Sequence, residues 1–191
     1  MPAIPGAADN KRGKRSRFGA KDDDTLKDVI NINAPFSKVL TVSAVGAAVG
    51  FGSVQLAALP KSELWYLTGR LYVAFQEEPT IALPTGNLSD TWSGDFSLGT
   101  LKNADADLAD AGDADLLAST ARDVATTGGF ARAAFPLTLL NNTLIDNNAG
   151  TKAVWLNVLV DAADITDGAS ANIRVSGILR MVLFPFGKNG S

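Results

Sequence analysis

The pattern that most constrains the fold is a period of two residues in the last third of the chain. In residues 172–184, NIRVSGILRMVLF, one face would carry Ile173, Val175, Gly177, Leu179, Met181 and Leu183. The opposite face would carry Arg174, Ser176, Ile178, Arg180, Val182 and Phe184. Successive side chains of a β-strand point to opposite faces, so this pattern predicts one long strand.

Other segments combine β-branched and aromatic residues between turn clusters, which is typical of strands. We expect strands at 28–33, 39–44, 51–56, 63–76, 95–100, 133–140 and 152–162. Gly69 predicts a bulge or bend in the strand that contains it. Residues 116–126 fit either a helical turn or another strand, and residues 141–150 read as a turn cluster. The strands at 152–162 and 172–184 are expected to form an antiparallel hairpin.

Long strands separated by turn clusters, with little helical periodicity, predict an all-β sandwich. A jelly roll is the version we expect, because it pairs long strands in two facing sheets. The sandwich domain is expected over residues 27–191, preceded by an extended arm over residues 1–26. A body of about 160 residues buries about 70% of the surface its unfolded chain exposes, so it needs no metal or disulfide to fold.

The net charge of −3 conceals two oppositely charged parts. Residues 1–21 have a net charge of +5, and their basic residues are Lys11, Arg12, Lys14, Arg15, Arg17 and Lys21. The remaining 170 residues carry 11 basic and 19 acidic side chains, a net charge of −8. An acidic body repels phosphate, which argues against a broad nucleic-acid-binding face on it.

Two interpretations of the basic arm remain open, because the electrostatics are the same for both. The arm fits a strap that anchors the chain on an acidic protein surface, and this is the reading we favour. It also fits a segment that binds nucleic acid. The spacers Gly13 and Ser16 suit an extended path rather than a helix.

The composition argues against most enzyme mechanisms. The chain has no cysteine and no histidine, which excludes disulfides, zinc thiolates and triads that depend on histidine. Carboxylate pairs remain, and a glycosidase needs two of them about 5–9 Å apart. The candidates are Asp90 with Asp95, and Glu77 with Glu78, but nothing in the sequence fixes either pair in space. We therefore expect a binding or structural protein with no catalytic residues and no cofactor.

An acidic run is the one segment that invites a test for metal binding. Its carboxylates are Asp105, Asp107, Asp110, Asp113 and Asp115. Oxygen-rich loops suit calcium, but the EF-hand pattern fails because its glycine position, counted from Asp105, holds Asp110. We expect a solvated loop and no metal site.

Residues 39–60 carry no charge, and their length invites a test for a membrane span. A spanning helix needs about 20 predominantly apolar residues. This segment contains Thr41, Ser43, Ser53, Gln55 and four glycines. It predicts two strands joined by a Gly/Ala-rich loop, and no contact with a membrane.

Three patches of the chain resemble structural proteins of tailed bacteriophages, in particular small head decoration, or cement, proteins. The patches are Ser89–Thr100 (SDTWSGDFSLGT), Asp113–Thr120 (DADLLAST) and Val154–Gly187. The last patch resembles that group's closing pair of strands. These motifs are structural rather than catalytic.

The resemblance implies a jelly-roll or sandwich body, usually a homotrimer, that is made in the host cytoplasm and resides on the capsid of the virion. Its partner would be the major capsid protein, and its action would be non-covalent clamping of neighbouring capsomers. The candidate residues of the trimer seam are Trp65, Tyr66, Trp92 and Trp155, since aromatic residues are enriched at interfaces. A place in the core is the equal alternative for each of them.

Two other functions stay open. One is a coat protein that encloses the genome and binds nucleic acid through the basic arm. The other is a carbohydrate-binding module of a head fibre or tail, because Trp92 between Asp90 and Asp95 resembles a platform for sugar stacking.

Overall fold

The computed structural model describes residues 29–45, 49–77, 88, 92–110, 112–122, 130–134, 144–165 and 170–185. The strands are β1 (Ile30–Val45), β2 (Val49–Ala58), β3 (Glu63–Glu77), β4 (Gly94–Gly99), β5 (Leu117–Ala121), β6 (Phe130–Ala134), β7 (Leu144–Asp146), β8 (Ala153–Asp161) and β9 (Ser170–Pro185). A 3-10 turn follows β8. The described part is all-β, as predicted. Residues 1–26 lie outside it, so the division into arm and body stays a prediction.

The order of the strands is that of a jelly roll. All of them join in one antiparallel sheet with the order β5-β4-β8-β2-β1-β9-β3-β6, and the short β7 pairs with β3. The sheet divides into β1-β9-β3-β6, here the first sheet, and β2-β8-β4-β5, the second sheet. With the short β7 left aside, consecutive strands lie in different sheets. The one exception is β4 and β5, which both belong to the second sheet. This is the double-sheet arrangement of a jelly roll, and it confirms the predicted fold class.

The two sheets pack face to face through aromatic side chains. The ring centroids of Phe75 on β3 and Phe96 on β4 lie 5.4 Å apart. In the sheet order, β3 and β4 are five strand spacings apart, which is about 24 Å in a flat sheet. The sheet therefore folds over on itself and encloses its core.

The last strand, β9, lies in the middle of the first sheet. It pairs with β1 from Leu183 opposite Ile30 to Ser170 opposite Ser43. Its other edge pairs with β3 along almost the same length. The inward face predicted from the sequence is correct: Ile173, Val175, Leu179, Met181 and Leu183 are all buried. Burying each of these large side chains contributes about 1.5–3 kcal/mol.

The expected hairpin between residues 152–162 and 172–184 is wrong. β8 pairs with β2 and β4, whereas β9 pairs with β1 and β3. Strand length explains the choice. β9 has 16 residues and its neighbours 16 and 15, while β8 has 9 and β2 has 10. Partners of equal length leave the fewest backbone groups without a hydrogen bond.

Several local predictions shift by a few residues. The expected strands at 28–33 and 39–44 belong to the single strand β1, and residues 116–126 contain β5 rather than a helical turn. The irregularity in β3 falls between Tyr66 and Thr68, before Gly69. The turn cluster at 141–150 contains β7, and β6 begins before the expected strand at 133–140, whose residues 135–140 lie outside the described part.

The uncharged segment at 39–60 forms strands. Residues 39–45 belong to β1 and residues 49–58 to β2, so the two expected strands are present, and they pair antiparallel. Among the residues described, no helix is long and apolar enough to cross a membrane.

Gly177 gives a test of the packing between β9 and β3. A Cβ added at this position would lie 1.8 Å from the backbone oxygen of Tyr72 and 3.1 Å from the ring of Phe36. We expect Gly177→Ala to lower the free energy of unfolding by about 1–3 kcal/mol, because the backbone must shift to admit the methyl group. Urea denaturation measures this change. Ser176→Ala, on the outward face, is the control, and equal midpoints for both variants would contradict the close approach.

Candidate interaction surfaces

A single buried amide fixes the loop that covers the outward face of the second sheet. Asn157 of β8 points outward between the inward residues Leu156 and Val158, yet it is fully buried. Its Oδ1 accepts a hydrogen bond from the backbone N–H of Asn103 at 2.9 Å. Its Nδ2 donates to the carbonyls of Asp113 at 2.7 Å and Leu101 at 3.2 Å. The loop 101–116 is therefore held at three points of its backbone.

Further hydrogen bonds complete this attachment. The Ser97 hydroxyl donates to the Asp113 carbonyl at 2.7 Å. The backbone N–H and the hydroxyl of Thr100 each donate to the carboxylate of Asp115 at 2.7 Å. The side chain of Leu108 is buried under the middle of the loop. These polar and apolar contacts together fix the loop 101–116 against the second sheet.

The loop presents carboxylates to solvent. Asp105, Asp107 and Asp110 are exposed, and we call these three residues the acidic ledge. The carboxylate of Asp105 accepts the N–H of Asp107 at 3.0 Å, and the side-chain oxygen of Asn103 accepts the N–H of Asp105 at 3.0 Å. Such turns hold the backbone locally. The predicted solvated loop is thus correct for these three residues, while Asp113 is buried and Asp115 half-buried.

The two carboxyl groups beneath the acidic ledge, those of Asp113 and Asp115, have raised pKa values. Burial raises the pKa of Asp113 above its ordinary value, and the negative charge of Asp110 raises it further. Burial also raises the pKa of Asp115, although its hydrogen bonds from Thr100 act in the opposite direction. The Oδ1 atom of Asp113 accepts no hydrogen bond in the described structure. In that same part of the chain, no three acidic side chains converge in a way that could hold a metal ion.

Trp92 is packed inside the subunit. It is 2% exposed and makes an edge-on contact with Phe75, with 5.8 Å between ring centroids. The guanidinium carbon of Arg122 lies 3.9 Å from the centroid of the Trp92 ring, and its Nη1 donates to the Trp92 carbonyl. Burial lowers the pKa of Arg122, and the charge of Asp164 opposes this shift. A covered ring does not offer a surface for a sugar, so Trp92 is not the stacking platform that its sequence context resembles.

The other candidate residues of the trimer seam lie elsewhere. Trp155 is half-buried on the outward side of β8, and Trp65 and Tyr66 belong to β3. Trp92 occupies the core position that the sequence left as the alternative. The six basic residues of the arm, together with Glu78 and Asp90, lie outside the described residues. The seam, the arm and the carboxylate pairs remain predictions.

The outward side of the first sheet carries arginines. Arg180 of β9 lies directly opposite Arg70 of β3 and, across its other edge, opposite Asn33 of β1. Both arginines are exposed, and they line an open groove of about 500 Å³ that Asn31 and Thr68 also border. Arg174 shares this outward side of β9.

On the described strands of the first sheet, carboxylates occur only at the two ends of β3, at Glu63 and Glu77. β1, β6 and β9 contain no aspartate or glutamate, and β3 has none between residues 68 and 76. We call the outward side of β1, β9 and residues 68–76 of β3 the arginine face. The alternation of residues 172–184 already placed Arg174 and Arg180 on one side. Their meeting with Arg70 depends on the register of β3, which the sequence did not reveal.

Similarity to known proteins is found at the level of structure. No protein-family model matches the chain, and no curated protein sequence matches it. Among solved structures, a chain of desmodium yellow mottle tymovirus is similar at 13% identity and a TM-score of 0.30, over 85% of this chain and 92% of that chain. The 60-mer BFDV capsid protein is similar at 13% identity and a TM-score of 0.30, over 85% of this chain and 97% of that chain. The jelly-roll assignment rests on the strand order.

The role of Asn157 can be tested by substitution. We expect Asn157→Leu to lower the free energy of unfolding by about 3 kcal/mol, because it leaves buried backbone groups of the loop without this partner. Chemical denaturation measures the loss. Asn148→Ala changes an exposed asparagine and should alter stability by less than about 0.5 kcal/mol. A similar small effect for Asn157→Leu would show that the amide does not hold the loop.

The raised pKa of Asp113 makes stability depend on pH. The folded protein binds this proton more tightly than the unfolded chain does, in which an aspartate titrates near pH 4. The free energy of unfolding therefore falls as the pH rises from about 4 to the higher pKa of the folded state. Asp113→Asn removes this contribution, so the variant should lose less stability than the wild type between pH 4 and pH 6. Equal losses in urea denaturation at the two pH values would contradict the prediction.

Proposed function

We propose that the chain is a virion structural protein that decorates a capsid and stabilises it by non-covalent clamping. The observation that carries this proposal is the separation of charge across the jelly roll. The outward side of the first sheet bears the arginine face, and the outward side of the second sheet lies under the acidic ledge. A subunit with one basic and one acidic side can contact acidic protein surfaces on one side and basic surfaces on the other, which suits a protein that holds the neighbouring proteins of a shell together.

In the sequence, the basic arm precedes a strand of the first sheet. β1 begins at Ile30, one residue before Asn31, which already borders the groove. The arm is therefore attached to the sheet that carries the arginines. Contacts made by the arm and by the sheet are linked through the chain, and linked contacts bind more tightly than either one alone.

The finer parts of the proposal come from the sequence patches that resemble tailed-phage decoration proteins. On this basis the chain forms a homotrimer with a seam at Trp65, Tyr66 and Trp155. Its partner is the major capsid protein, and it resides in the virion. Such a role involves no turnover. It depends on buried area and on the number of contacts made at once.

A second function has one observation in its favour. The basic arm directly precedes a strand of the sheet that carries the arginine face, and this combination of basic segments also suits a coat protein that binds packaged nucleic acid. Phosphate contacts by several arginines and lysines would make this binding strongly dependent on salt.

The arm gives the test. In the full-length chain, Lys11, Arg12, Lys14, Arg15, Arg17 and Lys21 are changed to glutamine, which removes the charge and keeps the length. We expect this variant to lose co-sedimentation with native shells stripped of the protein, while it stays folded and soluble. Undiminished saturation of the shells would overturn the strap.

The same variant separates the two functions. Filter binding of a single-stranded oligonucleotide at low salt should be weak for the wild type if the partner is protein. Tight binding that disappears in the glutamine variant would replace decoration by genome enclosure. A variant with the two basic residues Lys61 and Lys102 changed to glutamine is the control, since both are exposed on the body.

A further inference from the structure

The pairing of Arg70 with Arg180 is unfavourable within one subunit. Residues directly opposite each other on antiparallel strands have Cβ atoms about 4.5–5.5 Å apart, and like charges in such a pair destabilise the sheet. In the described strands around them, the arginine face contains no carboxylate that would offset this repulsion. The pair therefore favours the approach of an anionic group from outside the subunit.

The rest of the face has the composition of a protein interface. Ile178, Val182 and Phe184 lie on the same outward side of β9 and are half-buried, and Val39 of β1 is 44% exposed. Arginine beside apolar and aromatic residues, without glutamate or aspartate, is typical of surfaces that bind protein. This mixture favours a protein partner over nucleic acid, whose sites are more uniformly polar and positively charged.

The chain itself provides a complementary surface. The exposed carboxylates of Asp105, Asp107 and Asp110 are held in place through Asn157, so little conformational freedom is lost when they bind. Leu101, which is 43% exposed, lies at the start of the same loop and offers an apolar contact. This surface covers the second sheet, on the side of the sandwich away from the arginine face, so one subunit cannot satisfy both surfaces by itself.

We propose that the arginine face of one copy binds the acidic ledge of a second copy. The contact rests on the proposed role as a virion structural protein, in which copies must meet. Because the two surfaces differ, the contact is head-to-tail, and repetition of such a contact yields a closed ring or an extended array. Arg70 and Arg180 bind the carboxylates of the neighbouring ledge, and the half-buried residues of β9 pack around them.

Exchange of charges tests this contact. The face variant is R70E/R180E, the ledge variant is D105R/D107R/D110R, and the combined variant carries all five substitutions in the full-length chain. Sedimentation velocity measures self-association over a range of protein and salt concentrations. We expect the wild type to associate, and to do so less at high salt. Each separate variant should lose more than about tenfold in association constant, and the combined variant should regain most of it.

A matched control isolates the face. K61E changes the net charge by the same amount as the single face variant R180E and leaves both surfaces intact, so it should associate like the wild type while R180E associates more weakly. Circular dichroism and thermal unfolding establish that each variant is folded. The proposal is overturned if the wild type is monomeric at every concentration, if the face variant associates normally, or if the combined variant stays as weak as the separate ones.

Two more outcomes are decisive. Oligonucleotide binding that is lost in the face variant, with self-association unchanged, would assign the face to nucleic acid and reject the proposal. The arm variant with six glutamines keeps both surfaces and should still self-associate. Shell binding by the arm variant tests only the proposed function. Self-association of the face variant tests only the contact between copies.

Discussion

The structure depends on the pairing of β9 with both β1 and β3. This strand joins segments that lie far apart in the sequence, and its inward side chains fill the centre of the core. Removing it would leave β1 and β3 with unpaired edges along most of their length, and unpaired backbone groups in a protein interior are costly. The face opposite to that core carries Arg174 and Arg180. The same alternation therefore fixes both the hydrophobic interior and the charged exterior of the first sheet.

Charge follows the division into sheets. The second sheet bears its carboxylates mostly on a loop that Asn157 ties to the sheet, rather than on the strands themselves. The first sheet bears its arginines directly on the strands, where side-chain positions are set by register. Two different structural devices thus produce a subunit with opposite charges on its two sides. Neither device is visible in the net charge of −3, which only averages them.

Local pattern predicted much of this architecture. The alternation in residues 172–184 gave the buried face of β9 correctly, and the aromatic segment at 63–76 gave β3. The pairing of strands could not be predicted from local pattern, because backbone hydrogen bonds between strands do not depend on the side chains. A hairpin between the two strands nearest in sequence was the simplest prediction, and it was wrong. Asn157 was hidden within an apolar strand, since its partners lie 44 to 56 residues away. The position of Arg70 opposite Arg180 depends on the register between β3 and β9, which the local pattern does not predict.

The central place of β9 has a consequence for the order of events during synthesis. The residues of β1 leave the ribosome about 140 residues before those of β9, and contacts between such distant segments form late. The second sheet can pair β2, β4, β5 and β8 once residue 161 has emerged, whereas the first sheet has no central strand until residue 185 follows. A nascent or prematurely terminated chain therefore lacks a complete basic surface. The side of the molecule that carries Arg174 and Arg180 is thus the last part of the described fold to form.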